Sequence, residues 1–261
     1  MMSRRMGFSL ILSLAIAFAV GYGARAWAIE IGARSDAIAA DISAAPSAEE
    51  ILEAQAAPAA EAEVDPWEGF NEPVFRFNKR VDEVVLKPIA TAWDRALPDS
   101  FQRSLHNAID NLLVVRRVVN NLLQWKPERA GRELARFTIN STIGYVGLLD
   151  VAKDYFGIQQ ADEDFGQTLA VWGVQSGPYL VLPFTSPTTV RDGGGRIIDG
   201  LMFPAAWVWP WGASAALLVG DTINERSLNL DRYERVEESV VDLYSAVRNA
   251  YFQRRAAAIR E

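Results

Sequence analysis

The chain contains no cysteine and only one histidine, His106, among its 261 residues. The lack of cysteine excludes disulfide bonds, thiolate metal ligands and cysteine nucleophiles. A lone histidine cannot assemble a zinc site without histidine or cysteine partners, and in a helix it is far more often structural than catalytic. We therefore expect neither a metal site nor a histidine-dependent reaction.

Motifs of other catalytic and nucleotide-binding classes are also absent. There is no G-x-S-x-G sequence of the serine hydrolases, and no Lys-Ser/Thr pair follows Gly193–Gly195 as in a phosphate-binding loop. Ile198 stands where a dinucleotide fingerprint has its third glycine. The adjacent carboxylates Asp162, Glu163 and Asp164 are better placed to cap a helix than to bind a metal ion. We expect no enzymatic activity and no cofactor.

Basic residues are too few for a nucleic-acid partner. The chain has 26 lysines and arginines against 33 acidic residues, and its formal net charge is −7. A nucleic-acid-binding domain would instead show a basic patch. Half of the residues are hydrophobic, which is enough for one sizeable core.

Charge is missing from one long segment of the chain. No Asp, Glu, Lys, Arg or His occurs in Phe165–Val190 or in Leu201–Gly220. The whole of Phe165–Gly220 has four charged residues, whereas average composition would place about 13 in this length. Such a deficit indicates a segment that is shielded from water, either by protein or by lipid.

Three structures are compatible with this shielding. Residues 201–220 are long enough for a transmembrane helix, but Pro204 and Pro210 interrupt them. A buried core segment is the second alternative. The third is a surface in lipid, which Trp207, Trp209 and Trp211 favour because indole rings prefer the head-group level of a bilayer. Irregular backbone at that depth needs shielding, so the third alternative predicts a compact helical body in one leaflet.

The charged residues of this segment surround a run of three glycines, Gly193, Gly194 and Gly195. They are Arg191, Asp192, Arg196 and Asp199. In a domain immersed in lipid, such residues are expected to face water, to pair with one another or to line a polar passage. An internal ion pair beside a flexible turn is the alternative.

Two N-terminal segments are predicted to precede the folded domain. Residues 1–28 have the pattern of a secretory signal peptide, with a basic start, an apolar run Phe8–Val20 and the cleavage site Ala26-Trp27-Ala28. An uncleaved anchor is the alternative, although the apolar run is shorter than the roughly 20 residues of a span. Residues 29–64 are rich in Ala and Glu and predict a disordered linker. The folded domain is expected over 65–258.

Apolar residues recur at helical spacing from Asp65 onward. The first stripe comprises Trp67, Phe70, Val74, Phe77, Val81 and Val84. This helix begins either with Asp65 as its N-cap or with Asn71, which would place Pro73 in the first turn. Pro88 is expected to interrupt the pattern, with a further short helix over Ile89–Ala96.

The middle of the chain predicts further helices. A second stripe runs over Phe101–Leu122, with a possible break near Asp110–Asn111, and a helix from Pro127 is expected to fade near Gly144. Alternating strand patterns are lacking apart from a short extended piece at 179–182. The sequence therefore predicts an all-α single domain.

The last third of the domain contains clear helix-start signals. Asp164 and Gln167 form a capping box for a short helix that ends at Gly173. Ser186–Pro187 are expected to start the next helix. One long helix is predicted over 231–258.

In this order, the motifs resemble those of the MlaA/VacJ family of outer-membrane phospholipid-trafficking proteins. The resemblance covers about Asp65 to Arg255, and its most specific part is Asp164-Phe165-Gly166-Gln167-Thr168-Leu169, followed by Trp172-Gly173 and Gly177-Pro178-Tyr179. The motif residues are Asn71, Phe77, Asn78, Asn140, Gly144, Gly147, Asp150, Phe165, Gly166, Trp172, Gly173, Gly177, Pro178 and Pro183.

The resemblance implies an α-helical ring or horseshoe at the periplasmic face of the outer membrane. It also implies a central passage through which misplaced phospholipids leave the outer leaflet, an outer-membrane porin as partner, and a periplasmic carrier protein of an ABC transport system that receives the lipid. No covalent chemistry is involved. The seven residues Arg191, Asp192, Gly193, Gly194, Gly195, Arg196 and Asp199 become candidates for this passage, and Trp207, Trp209 and Trp211 become candidates for the membrane interface.

The absence of cysteine is a departure from the family, whose typical members carry an acylated N-terminal cysteine. We therefore expect a secreted protein that is not a Cys-acylated lipoprotein. Two functions remain as alternatives to lipid transport. A structural adaptor would bind the porin through the amphipathic stripes at 101–122 and 233–250 without moving lipid, and a phospholipase would need a nucleophile motif that the sequence lacks.

Overall fold

The computed structural model describes residues 65–261, apart from the side chains of Ala206 and Trp211. The predicted signal peptide and linker lie outside the described residues. The described chain consists of α-helices and one antiparallel pair of two-residue strands, so the all-α prediction is confirmed. The elements are α1 (Glu68–Val81), a π-helical turn (Asp82–Leu86), α2 (Lys87–Ala96), α3 (Asp99–Leu112), α4 (Val114–Leu123), α5 (Pro127–Thr142), α6 (Val151–Asp154), α7 (Phe165–Val171), β1 (Tyr179–Leu180), β2 (Thr188–Thr189), α8 (Val190–Leu201), α9 (Ala205–Val208), α10 (Trp211–Leu228), α11 (Leu230–Ser239) and α12 (Leu243–Arg260).

The first helix starts two residues later than the predicted N-cap Asp65, because its N-cap is Trp67. The Asp65 carboxylate accepts a hydrogen bond from the backbone N–H of Trp67 at 2.9 Å. The alternative start at Asn71 is wrong, because Asn71 lies inside α1 with its side chain buried. Pro88 does not interrupt the helix. It directly follows the π-helical turn, in which the N–H of Lys87 donates to the carbonyl of Asp82. Pro88 therefore lies in the first turn of α2, where a residue needs no backbone N–H.

Several predicted helix ends are confirmed, and two are wrong. Asp164 caps α7 by accepting from the N–H of Gln167 at 2.8 Å. Ser186–Pro187 do not start α8, because Thr189 is its N-cap and the two earlier residues form the loop before β2. The single helix predicted over 231–258 is divided into α11 and α12. Asp242 caps α12 by accepting from the N–H of Ser245 at 3.2 Å, and this side-chain cap competes with a continuous helix.

One region of the molecule has an ordinary apolar core. Phe75 of α1, Tyr179 of β1, and Tyr244 and Tyr251 of α12 are buried together in one cluster. The rings of Phe75 and Tyr244 meet edge to face with their centroids 5.5 Å apart. This aromatic cluster joins the first helix of the domain to its last.

The pair α4 and α5 is packed with the opposite polarity. Their buried positions are mostly polar and comprise Arg116, Arg117, Asn120, Asn121, Glu133, Arg136 and Asn140. Large apolar residues of the same helices are exposed, namely Val115, Leu122, Leu134 and Phe137. Part of the apolar periodicity in the sequence therefore marks the outside of the molecule rather than its core.

The transmembrane alternative for residues 201–220 is wrong. These residues divide between the end of α8, the short helix α9 and the start of α10. Between residues 65 and 261, none of the helices is long and apolar enough to cross a bilayer.

Candidate functional site

A polar cavity of about 490 Å³ lies between α3, α4, α7, α8, α10 and α12. Adjacent members of this group pack on each other, α10 on α3, α3 on α4, α4 on α7, and α7 on both α8 and α12. Seven carboxylates and four guanidinium groups line it, together with His106, Gln160, Gln167, Tyr251 and Ala258. The carboxylates are Asp110, Asp162, Asp164, Asp192, Asp199, Glu225 and Glu261, and the guanidinium groups are Arg116, Arg196, Arg254 and Arg255. The arrangement offers both signs of charge, with an excess of negative charge.

Arg255 of α12 organises one wall of the polar cavity. Its guanidinium binds both oxygens of Asp164 at 2.5 and 2.7 Å, and its Nε lies 2.8 Å from Asp192 Oδ2. Burial alone would raise the pKa of Asp164, but the charge and hydrogen bonds of Arg255 outweigh it and hold that pKa well below its usual range. The pKa of Asp192 is also lowered against burial, by Arg255, by Arg191 and by the hydroxyl of Tyr251. Both carboxylates are therefore anions at neutral pH.

Asp199 of α8 is a carboxylate in a different state. Within residues 65–261, its oxygens accept from neutral donors, the backbone N–H of Phe165 at 3.1 Å and the side-chain amide of Asn120 at 3.0 Å. Burial raises the pKa of Asp199 to about 7, and the nearby negative charge of Asp164 adds to this rise while Arg116 opposes it. In the polar cavity, Asp199 therefore titrates near neutral pH beside Asp164 and Asp192, which stay ionised there.

The three glycines of α8 form part of a helix, so the flexible turn of the alternative is wrong, whereas its internal ion pair is present between Arg191 and Asp192. Gly195 lies against Gly166 of α7, and a Cβ on Gly195 would stand 2.5 Å from the backbone nitrogen of Gly166. A Cβ on Gly166 would in turn meet Asp192 Oδ1 at 2.6 Å. The glycines therefore let α7 and α8 approach closely enough to bring Asp164 to Asp192. Gly194 has open space around it.

The structure brings three of the predicted passage residues to the cavity, namely Asp192, Arg196 and Asp199. Arg191 stands behind them, because its Nε binds Asp192 Oδ1 at 2.8 Å and its Nη1 donates to the carbonyl of Val174. The three glycines are not among the lining residues.

The basic residues that complete the cavity, above all Arg116 and Arg255, were not predicted from the sequence. The signal for Asp164 was present in the capping box, where its role as N-cap of α7 is confirmed. Nothing in the local sequence indicates that α12 crosses behind α7 and places Arg255 on the same carboxylate. The three adjacent acids separate, with Asp162 binding Arg116, Glu163 binding Lys126 and Arg129, and Asp164 binding Arg255.

Two asparagines of the family motif hold one segment, residues 179–185, against α1. This segment begins as β1 and turns at residues 183–185. The amide of Asn71 donates to the carbonyl of Tyr179 at 2.9 Å and accepts from the N–H of Val181 at 2.8 Å. Asn78, two turns later, donates to Leu182 at 2.9 Å and accepts from Phe184 at 2.8 Å. Each amide side chain imitates a peptide group, so the segment is bound as if α1 were a neighbouring strand.

The other motif residues also support the wall of the fold. Asn140 donates to Asp150 Oδ1 and accepts from the N–H of Ala152, both at 2.9 Å, which joins α5 to α6. Gly147, Gly173 and Gly177 have positive φ angles, and Gly144 has backbone atoms too close for a side chain. Phe77 contacts Phe184 edge to face, as Phe165 contacts Trp172. Pro178 directly precedes the segment that the asparagines hold, and Pro183 lies within it.

Two of the three tryptophans predicted for the membrane interface lie on the outside. Trp207 of α9 is 73% exposed, and its indole N–H donates to the carbonyl of Leu201. Trp209 directly follows α9 and is also exposed. The side chain of Trp211 lies outside what the structure describes.

Comparisons with known proteins agree with this architecture. The family profile described as MlaA lipoprotein matches residues 63–258. The Escherichia coli (strain K12) protein named intermembrane phospholipid transport system lipoprotein MlaA is 37% identical over 194 residues, which cover 73% of this chain and 76% of that protein. The Haemophilus influenzae protein of the same name is 31% identical over 192 residues, which cover 72% of this chain and 76% of that protein. A solved structure reported as the structural basis for maintenance of bacterial outer membrane lipid asymmetry is similar with a TM-score of 0.67 and 34% identity, over 76% of this chain and 100% of that one.

Proposed function

The chain belongs to the MlaA lipoprotein family, and from this membership we propose that it transports phospholipids between membranes and so maintains the lipid asymmetry of the outer membrane. In this function it removes misplaced phospholipids from the outer leaflet and passes them to a periplasmic carrier. The observation that supports the proposal most directly is the polar cavity of about 490 Å³ inside a body whose outer helical faces are apolar.

The polar cavity suits the head group of a phospholipid. Moving a phosphate and its polar substituent through hydrocarbon is costly unless charged or hydrogen-bonding partners replace water. Guanidinium groups bind phosphate oxygens, and carboxylates bind an ammonium group, so a cavity with both kinds of residue can accept a zwitterionic head group. Its volume lies within the 300 to 1,000 Å³ that is roughly usual for small-molecule sites. Transport of this kind requires no covalent step, and we assign no enzymatic activity.

The outer surface suits the outer membrane, where we place the protein at the periplasmic face. The exposed Trp207 and Trp209 and the outward Leu122 and Leu134 present an apolar surface to lipid. At about 25 cal/mol per Å², several hundred Å² of such contact exceeds the contribution of one acyl chain. We therefore propose that the folded domain itself retains the protein at the membrane, without an acylated cysteine.

Retention through the folded domain has a direct test. Cleavage after Ala28 leaves 23 basic and 33 acidic residues, so the mature protein has no net attraction for anionic lipid and high salt should not release it. Replacing Trp207 and Trp209 together by Ser should increase the soluble fraction. N-terminal sequencing of the membrane fraction should find a start near residue 29, and an intact Met1 would instead indicate an uncleaved anchor.

The partners that we propose are an outer-membrane porin, which holds the protein, and a soluble carrier that receives the lipid. The exposed apolar faces of α4 and α5 would also suit contact with such a porin. The adaptor function, in which the protein binds porin without moving lipid, rests on the same surface and is the second candidate.

Two neighbouring alanines of α12 separate transport from the adaptor function. Ala258 lines the polar cavity, whereas Ala257 is exposed and does not. In a strain that lacks the gene, outer-leaflet phospholipid should rise, and the chain with Ala257→Trp should restore asymmetry while the chain with Ala258→Trp should not. Full restoration by Ala258→Trp, with porin still captured, would favour the adaptor. Unchanged asymmetry on loss of the gene would contradict both the transport function and its site.

A further inference from the structure

A second cavity of about 180 Å³ lies between α1, the π-helical turn, α10 and the loop that follows β1. We call it the apolar pocket. Its apolar lining comprises Phe75, Val81, Val85, Leu86, Val181, Phe184 and Val219. The one carboxylate in its wall, Asp82, is already bound through both oxygens to Arg226, at 3.0 Å each. The pocket therefore offers apolar contact and no charge that requires a ligand.

The apolar pocket has a closed floor and an apolar mouth. Phe75 and Val181 form the buried floor. Val85, Phe184 and Val219 at the mouth are 50%, 52% and 48% exposed. An apolar cavity of about 150 Å³ stays dry and binds small hydrocarbons. The pocket is thus large enough for a stretch of hydrocarbon that enters from the outer surface.

Two unusual backbone features border this mouth. The π-helical turn Asp82–Leu86 contributes Val85 and Leu86 to the mouth. Such turns are rare in proteins overall, and those that occur are often found at functional sites. Phe184 has a φ of +62°, a conformation that a residue with a side chain rarely adopts. Asn78 holds this conformation by accepting from the N–H of Phe184. Strain of this kind persists where the surroundings enforce it, and it clusters at ligand clamps.

The apolar pocket and the polar cavity share a wall. Ser186 and Pro187 line the apolar pocket, and their carbonyls accept from Arg196 at 3.1 and 2.9 Å. Arg196 lines the polar cavity. A molecule with a charged head and a long hydrocarbon chain has both of these surroundings within its reach.

We propose that the apolar pocket is an acyl-chain site, which binds a stretch of the hydrocarbon chain of a phospholipid. This inference rests on the proposed transport function, because it takes the transported lipid as the ligand. The occupant is a chain from the bilayer rather than a side chain of a partner protein, since the mouth has apolar edges on the outer surface. The polar side chains Asn78, Asp82 and Thr222 of its wall are bound within the protein, to Leu182, Arg226 and Leu218.

The test uses a photoreactive lipid and the full chain purified from membranes. The protein is reconstituted into phosphatidylethanolamine vesicles that contain phosphatidylethanolamine with a diazirine on one acyl chain. After irradiation, the labelled peptides are identified by mass spectrometry. Adducts are expected in the π-helical turn and in the 181–187 segment.

Two adjacent valines provide a matched pair of variants. Val85 lines the apolar pocket, and its neighbour Val84 is also about half exposed but does not. Val85→Phe should fill the pocket and reduce the adducts there about tenfold, which is the effect of displacing about two methylene groups. Val84→Phe should leave them unchanged. If Val85→Phe melts early, Val219→Phe closes the same mouth from α10.

The outcomes distinguish this inference from the function on which it rests. Adducts confined to α7, α8 and α12 would overturn the acyl-chain site and leave the transport function intact. Equal labelling of the 181–187 segment in the Val84→Phe and Val85→Phe proteins would also overturn the site. A Val85→Phe protein that loses porin capture while its lipid labelling is unchanged would assign the pocket to a protein partner. An absence of adducts throughout the chain, together with unchanged lipid asymmetry on loss of the gene, would contradict both proposals.

Discussion

The aromatic cluster and the α4–α5 pair are two regions of one domain with opposite packing. In the aromatic cluster, Phe75 and Tyr244 are buried as in any water-soluble protein. In the α4–α5 pair, Asn120, Asn121 and Glu133 are fully buried while Leu134 of the same helix pair is exposed. The first region is packed as for water outside, whereas the second has the apolar exterior and polar interior that the proposed contact with lipid would favour.

This difference has a physical basis in the surroundings of each region. An outward apolar side chain costs free energy in water but not in hydrocarbon, where the driving force for its burial is absent. A buried polar side chain is tolerated only with its partners in place. Glu133 meets that condition, because it accepts from Arg117 Nε at 2.5 Å and from the N–H of Ala161 at 2.7 Å.

The largest effect is expected for Glu133→Leu. The change removes one of the carboxylates that pair with the buried Arg117, and it removes the acceptor of the N–H of Ala161. Leu is a good core residue elsewhere, but it cannot replace these polar contacts. The free energy of unfolding should fall by about 3–5 kcal/mol, as for other buried pairs that lose one partner. Glu128 is exposed on the same helix, and Glu128→Leu is the matched control with a change below about 0.5 kcal/mol. Equal melting temperatures for the two variants would contradict the polar character of this interior.

Gly195→Ala should have the next largest effect, because its methyl group would collide with the backbone of Gly166. Separation of α7 and α8 should cost about 2–3 kcal/mol and loosen the contact between Arg255 and Asp164. The neighbouring Gly194→Ala meets open space and should stabilise the helix by up to about 1 kcal/mol. Chemical denaturation of the two variants measures the loss of stability in the first and the gain in the second. A Gly195→Ala protein as stable as the unchanged chain would refute the close contact.

A moderate and pH-dependent effect is expected for Asp199→Asn. Because the pKa of Asp199 is raised to about 7 in the folded protein, the proton it binds stabilises the fold at low pH, and this contribution is lost as the pH rises from about 4 through 7. Between pH 5 and 8 the loss should be roughly 2–3 kcal/mol, which corresponds to about two pH units below the raised pKa. Asp164 and Asp192, whose pKa values are lowered, are ionised in both states over this range and add no slope. Asn cannot titrate, so the melting temperature of the variant should vary less between pH 5 and 8, and an unchanged slope would exclude Asp199 as its source.

The smallest effect on folding is expected for Leu134→Ser on the outer face of α5. Leu134 is about half exposed, so its loss should change the free energy of unfolding in water by less than about 1 kcal/mol. Binding to phospholipid vesicles should weaken, because the same side chain faces lipid there. Flotation with vesicles checks this, with the exposed polar position Arg132→Ser as the control. A large loss of stability without a change in flotation would indicate that the outer face is an ordinary core.

Helix boundaries and motif residues could be predicted from the sequence, because their causes are local. Asp164 caps α7 and Pro127 starts α5 through interactions within a few residues. The break before α12 was missed, although Asp242 and Ser245 have cap spacing, because the apolar stripe continues across it. The start expected at Ser186–Pro187 failed because their carbonyls bind Arg196 and the chain there pairs as a strand.

The sequence by itself determined the helical class, the charge-poor segment with its tryptophans, and the four charged residues that surround the glycines of α8. Only the tertiary structure decided which side of each helix is the inside. An amphipathic period indicates two faces but not which of them meets the surroundings, and that choice depends on whether the solvent is water or lipid. The tertiary structure also decided that Arg255 meets Asp164, since 91 residues separate them and only the packing of α12 on α7 brings the charges together.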